Sequence, residues 1–281
     1  MSFQFYKPQG PLKEFVNYIA FLSGAGSGTG VAFPRMHQVI IINLGSNFCT
    51  SDIYGPKPVP RECTSTIWIN GKQEIPFMLE NMGQTAMYAI GLKLGMLPYF
   101  AHLPAIETNE QTVGAEHWTT KEIFHLREEL QACPNIHTGF LLIEDHLTRQ
   151  LINTPLPNLD KIKWIGKAMH TSSVEDICRS LGVTRKKLRS ETQHYFGGSV
   201  KNIQGIIRFN QTLADIAQNA HKPLSSVHDY YDQSHFINDF KARTGITPLQ
   251  FKKLCQQIPD IKGTPNFISM QRETFLQFIS R

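Results

Sequence analysis

Apolar and polar positions along this chain follow two different rhythms. Residues 38–44 form an unbroken β-branched run, residues 66–69 lead into Asn70-Gly71, a pair that predicts a tight hairpin turn, and residues 85–94 alternate. Those three segments are predicted strands. After Gly114 the spacing changes to threes and fours: Ile123, Leu126 and Leu130 fall on one stripe of a helix predicted over 120–130, and residues 140–147 predict a second helix. Residues 1–152 therefore read as a β-rich, barrel-like unit followed by a helical pair.

From residue 172 the helical rhythm takes over. Ser172 and Glu175 have the spacing of a capping box, and Val174, Ile177, Cys178 and Leu181 then make an apolar stripe that stops at Gly182. Thr184 is placed to cap a second helix ending at Phe196, before Gly197-Gly198. Arg185, Lys186, Lys187 and Arg189 crowd its start, and Leu188 and Tyr195 are left for a core. Helix, glycine turn and basic helix is the helix-turn-helix pattern, whose second helix enters the major groove by its N-terminal end. Cations there oppose the helix dipole at a cost of about 0.3–1 kcal/mol each, so this helix is tuned for a polyanion rather than for its own stability. For that helix taken alone, a solvated basic face is the alternative reading.

A second unit is predicted downstream. Residues 199–216 place Ile203, Ile206, Ile207, Leu213 and Ala214 on one face, as suits a linker helix. Asp232 then caps a helix that turns Phe236 and Phe240 inward and Gln233, Ser234, Ile237 and Asn238 outward. Amide side chains suit adenine edges, and Ile237 a thymine methyl. Thr247, Pro248 and Gln250 start one more helix, with Phe251 and Leu254 inward.

Charge divides the same way. Asn153–Asn158, with Pro155 and Pro157, reads as a linker. Residues 1–159 carry a net charge of −3, residues 160–258 of +7 and residues 259–281 of +1. A length of 281 residues suits two domains, each able to bury a core. Hydrophobic residues at 41% with no apolar run near the ~20 residues of a membrane span exclude disordered and membrane-spanning classes. The N-terminus lacks the basic start and apolar core of a signal peptide, and five scattered cysteines with no C-x-x-C pair read as reduced thiols, so the expected location is cytoplasmic.

The front half offers little chemistry. Residues 23–30 are glycine-rich but fit no phosphate-loop register, and read as an inter-strand loop. Glu122, His125 and Glu129 make one E-x-x-H where a di-metal bundle needs two. Cys133 and His137 are half a metal site, and His37 and His102 stand alone. No metal, cofactor or catalytic residue is expected. A cupin-like enzyme is the competing reading, and it needs a convergent metal or nucleophile cluster that the sequence does not provide.

Residues 231–253 closely resemble the signature of the AraC/XylS-type transcriptional regulators, and the similarity extends over roughly residues 160–254. The resemblance implies two helix-turn-helix units joined by a linker helix, seated in successive major grooves ~34 Å or ~10 bp apart. It assigns base contacts to Lys186, Arg189 and Ser190 in the first unit and to Gln233, Ser234 and Asn238 in the second. Arg185, Lys187 and Lys241 are expected phosphate contacts. Three positions depart from the family in the first unit: Thr192 stands for a core phenylalanine, Ser190 for arginine and Val200 for proline. In the second unit the buried position aligned with Val227 lies five residues before Asp232, where the family has about eight, and Asp229 replaces the turn glycine. Either the first helix of that unit is truncated, or Leu224 takes the buried position with Pro223 at its start.

The expected fold is thus α+β: an N-terminal β-rich barrel-like sensor or dimerisation domain over 1–152, a linker over 153–159, an all-α DNA-binding domain over 160–258, and a tail over 259–281 beyond the resemblance. Expected partners are double-stranded DNA, a small-molecule effector, a second copy of the chain and RNA polymerase, with no membrane. The expected function is sequence-specific DNA-binding transcriptional regulation. The alternative is an interaction protein whose second reader has lost DNA binding.

Overall fold

The computed structural model describes residues 2–25, 28–36, 38–53, 61–118, 121–222, 233–258, 261, 263 and 265–279. The N-terminal part is built from antiparallel strands in two sheets. One holds β1 (Ser2–Tyr6), β2 (Val16–Gly24), β9 (Thr85–Leu92), β4 (Val39–Asn43), β7 (Ile67–Asn70) and β10 (Thr112–Gly114), in that spatial order. The other is ordered β11 (Phe267–Ser269), β3 (Gly28–Ala32), β8 (Phe77–Asn81), β5 (Phe48–Asp52), β6 (Arg61–Cys63).

The sequence of β4 shows why a barrel-like layer forms. Its five residues are all buried. Val39 and Ile41 join Ala20, Trp68, Met87 and Ala89 against Phe48 of the second sheet, whereas Ile40 and Ile42 point the other way, into the helices. A strand covered on both faces needs no polar alternation, which explains the unbroken β-branched run.

The helices on that outer face are α1 (Glu122–Gln131) and α2 (Ile136–Asn153). Ile123, Leu126 and Leu130 are buried as expected, and α2 extends well beyond the predicted 140–147, capped by the Asn135 side chain accepting from the Thr138 N–H at 2.9 Å. Gly139 of α2 lets Tyr88 approach: a Cβ there would lie 2.0 Å from the phenolic oxygen.

One predicted turn is wrong. Asn70-Gly71 does not close a hairpin, because β7 pairs with β4 and β10 rather than with the next strand in sequence. The glycine answers a different demand, since a Cβ at Gly71 would lie 2.0 Å from the Thr108 carbonyl oxygen.

The rest is helical: α3 (Leu159–Ala168), α4 (Val174–Leu181), α5 (Arg185–Phe196), α6 (Val200–Gln218), α7 (Gln233–Thr244) and α8 (Pro248–Gln257). After them come β11 and α9 (Arg272–Ile279), so the tail returns to the N-terminal sheets. Helix α6 buries Val200, Ile203 and Ile206 in the core that contains α1, α2 and the larger sheet. Further along it buries Phe209, Leu213 and Ile216 in a second core shared by α7, α8, β3 and the tail. The chain is α+β, β-rich first and all-α afterwards, and no helix among the described residues is long and apolar enough to cross a membrane.

Overpacking beneath Tyr88 tests this architecture. Gly139→Val is expected to cost about 1–3 kcal/mol of stability, read as a lower urea midpoint at unchanged slope.

Candidate nucleic-acid interface

Helix α4 starts one residue later than the spacing indicated. Ser173, not Ser172, is the N-cap, accepting from the Asp176 N–H at 3.1 Å. Ser172 is committed elsewhere: its carbonyl accepts from Gln204 Nε2 of α6 at 2.8 Å. Gly182 ends the helix at φ +62°, a left-handed conformation that glycine adopts without penalty, and the Val183 N–H closes back on the Cys178 carbonyl at 3.1 Å. Thr184 then caps α5, accepting from the Lys187 N–H at 3.2 Å. Local chemistry therefore sets where α4 ends and α5 begins, and both helices bury side chains in one core.

The two faces of α5 are sharply different. Leu188, Thr192, Tyr195 and Phe196 are buried, Thr192 with its hydroxyl donating to the Arg189 carbonyl at 3.1 Å. That intrahelical bond is how a hydroxyl fits where the resembled family carries phenylalanine. Arg185, Lys186, Lys187, Arg189 and Ser190 are all exposed. Arg185 pairs with Glu175 and Lys187 lies 3.7 Å from Glu191, while Lys186 and Arg189 have no ion pair among the described residues. Lys186, Arg189 and Ser190 share one stripe at i, i+3 and i+4, a surface able to donate several hydrogen bonds into a groove.

Helix α7 begins at Gln233. Phe236 and Phe240 are buried, with Phe240 5.7 Å from both Phe209 and Phe251 between ring centres. Ser234, Asn238 and Lys241 are exposed, and Ile237 is half-buried against the aromatic cluster. Asp232 and the two alternatives for the preceding helix lie outside the described residues. Thr247 and Gln250 form the capping box of α8, with Pro248 inside its first turn.

Arg243 was not singled out from sequence, although Asp239 four residues earlier was a signal. It pairs with Asp239 at 3.1 Å and lies 5.8 Å over the Phe209 ring, clamping α7 onto α6. Lys72 was missed as well. Only 2% exposed, it bonds Glu74 and, at 2.7 Å, Asn202 Oδ1, while Asn202 Nδ2 donates to Glu74 at 2.8 Å. Burial alone would raise the Glu74 pKa, but the bonds from Lys72 and Asn202 outweigh it and hold the carboxyl below its ordinary range. This triad fastens the segment after β7 to the start of α6.

A cleft of about 510 Å³ lies between the end of β9 and helices α3 and α6. Leu92, Met96 and Ile207 contribute apolar lining, and Lys93, Lys163 and Lys167 contribute charge. Lys163 pairs with Glu14 at 2.7 Å, and that bond, with the charges of Lys163, Lys93 and Lys13, keeps the Glu14 carboxyl below its usual range. Lys93 and Lys167 have no ion pair among the described residues, so the cleft carries excess positive charge. On another face of α3, Lys161 pairs with Glu191 of α5 at 2.6 Å. Elsewhere the described His, Cys, Asp and Glu side chains gather no group of three fit to hold a metal ion; His125 is exposed beside Glu128.

Comparison with family models and with curated proteins finds no match. Among solved structures, the chain is similar to ToxT from Vibrio cholerae in its P21 crystal form, at 14% identity over 90% of this chain and 99% of that one, with a TM-score of 0.42. It is also similar to ToxT of strain SCE256 with an unsaturated fatty acid bound, at 12% identity over 85% and 96% and a TM-score of 0.42. A third likeness is to ToxT of strain O395 bound to (E)-4-(8-methylnaphthalen-1-yl)but-3-enoic acid, at 15% identity over 91% and 100%, again with a TM-score of 0.42. At this level a likeness speaks to neither the family nor the ligand of this chain.

Proposed function

We propose that the chain is a sequence-specific DNA-binding transcription regulator of AraC/XylS type and not an enzyme. What carries this is the outer face of α5, a helix with a threonine cap and a glycine turn before it, filled on its buried side and cationic on its exposed side. Lys186, Arg189 and Ser190 read base edges from α5; Gln233, Ser234 and Asn238 read them from α7; and Arg185, Lys187 and Lys241 hold phosphates. Arg185 exchanges its pairing with Glu175 for a phosphate on binding. Residues 1–152 are the regulatory part, 153–159 the linker and 160–258 the reader. In this reading the protein works in the cytoplasm, with a second copy and RNA polymerase as its protein partners.

The effector of this reading is a small organic anion with an apolar body, seated in the cleft between β9, α3 and α6. Uncompensated Lys93 and Lys167 above an apolar lining support that chemistry. The Lys161–Glu191 pair gives α3 a direct hold on α5, so a ligand that shifts α3 shifts a reader.

The test is selection of random duplexes by the full chain at two salt concentrations. Enrichment of a two-part site with ~10 bp between centres is the expected outcome. A single half-site would favour an interaction role for the second unit, and no enrichment would refute the proposal.

On the selected site Arg189→Ala is expected to lose about 1–3 kcal/mol of binding and to relax preference at one base. Lys241→Ala is expected to weaken all duplexes alike and to flatten the log–log salt slope by about 0.9. An equal loss on cognate and scrambled DNA would contradict the role given to Arg189. For the cleft, phenyl phosphate is expected to raise the melting temperature of the intact protein and benzyl alcohol to leave it unchanged. Lys93→Gln combined with Lys167→Gln abolishes the rise; a rise that survives this pair of changes places the anion elsewhere.

A further inference from the structure

Residues 266–279 run from the second reader back to the N-terminal sheets and tie the two together. Strand β11 lies along β3, with Phe267 opposite Ala32, Ile268 opposite Val31 and Ser269 opposite Gly30. The pairing is extended at both ends, the Phe33 N–H donating to the Asn266 carbonyl at 2.8 Å and the Met270 N–H to the Thr29 carbonyl at 3.1 Å. Asn266 joins three segments through one amide: its Nδ2 donates to the Pro34 carbonyl at 2.9 Å and to Asn210 Oδ1 of α6 at 2.6 Å.

The seat for this segment is cut to shape. The Phe267 ring lies across Gly30, where a Cβ would come within 2.2 Å of the ring. Helix α9 inserts Phe275, fully buried, 6.2 Å from Phe33, which in turn packs 5.9 Å from Phe251 of α8. Arg272 Nη2 donates to the Ile53 carbonyl at 3.0 Å.

These contacts all serve one of the two cores. Ile268 and Phe275 belong to the cluster that holds Phe236 and Phe240 of α7. Ile177, Leu188 and Tyr195, which hold α5, belong to the other. Among the described residues, the buried side chains of the segment therefore belong to the core that supports the second reader, and its one bond to α6 is made at Asn210, beyond the residues that α6 gives to the first core.

We propose that residues 266–279 are a strap whose side chains Asn266, Phe267 and Phe275 are positioning residues for α7, setting its place relative to α5 by fastening its core to β3. This rests on the DNA-reading role proposed above. Strap release then affects recognition of the second half-site and leaves the first untouched.

Gly30→Val is the direct test, since Gly30 has no left-handed backbone to lose and its new side chain collides with the Phe267 ring. The duplexes are the two-part site selected by the full chain and the same site with either half scrambled. Gly30→Val is expected to bind the two-part site at least tenfold more weakly, close to the affinity for the first half alone, with binding to that half unchanged. Gly30→Val combined with Phe267→Ala, which removes the collision, is expected to recover part of the loss. Without DNA, amide exchange in α7 and α8 is expected to speed at least tenfold in Gly30→Val while α4 and α5 keep wild-type rates. Phe267→Ala alone, which adds no bulk, shifts the same two readouts in the same direction and decides the matter if Gly30→Val does not fold. Equal loss on both halves, or unchanged exchange in α7 and α8 in a folded variant, overturns the strap. Failure of the wild-type chain to select any duplex overturns the DNA-reading role instead, and the exchange measurement still judges the mechanical one.

Discussion

Helix α6 has to satisfy two hydrophobic cores with one continuous run of 19 residues. Its first half packs with the large sheet and the helical pair, and its second half with the aromatic cluster of α7, α8 and β3. Interiors are close-packed, so a helix gripped at both ends moves as a rigid rod or not at all. The relation between α5, attached to one core, and α7, attached to the other, is therefore transmitted along α6. Ser199 caps its start by accepting from the Asn202 N–H at 3.3 Å, and Asn202 also enters the buried group with Lys72 and Glu74, so local and long-range restraints coincide within a single turn.

The polar contacts of the helices divide by burial. Lys72 sits almost fully buried, and its charge is tolerable there because Glu74 and Asn202 both accept from it. Removing Glu74 would strand the buried Lys72 charge, which is far more damaging than loss of a surface pair. The pairs on α4 and α5 are the opposite case: Arg185 with Glu175 and Arg179 with Asp176 are solvent-exposed and contribute little to stability. Exposed pairs of this kind can be broken at small cost.

The sequence carried the first helix-turn-helix almost whole, because everything that builds it is local: a threonine cap, a glycine at positive φ and a stripe at helical spacing. What escaped was decided by distant contacts. Ser172 and Ser173 are each followed three residues later by an acid, and what separates them is that the Ser172 backbone is held by the Ala168 carbonyl and by Gln204. Asn70-Gly71 has hairpin chemistry, yet its glycine is required by Thr108, nearly forty residues on. Lys72 reads as an ordinary surface cation, since nothing near it in sequence announces burial against α6, and for Arg243 the only local signal is Asp239 four residues earlier. The cleft joins Lys93, just past β9, with lysines of α3 that no linear pattern associates. Strand β11 is three residues long and acquires meaning only beside β3.

That pairing has a cost in time. Asn266 and Pro34 are 232 positions apart, among the most distant contacts in the chain. Strands β3 and β8 are both synthesised well before β11, so the other edge of β3 has no native partner until residues 267–269 leave the ribosome. A bare strand edge is a template for pairing with other chains, and closing so long a loop is slow. The brevity of β3, five residues, limits that hazard during the wait. The second core of this protein is thus completed late, and its newborn chains are most exposed to misassembly in the interval before the strand arrives.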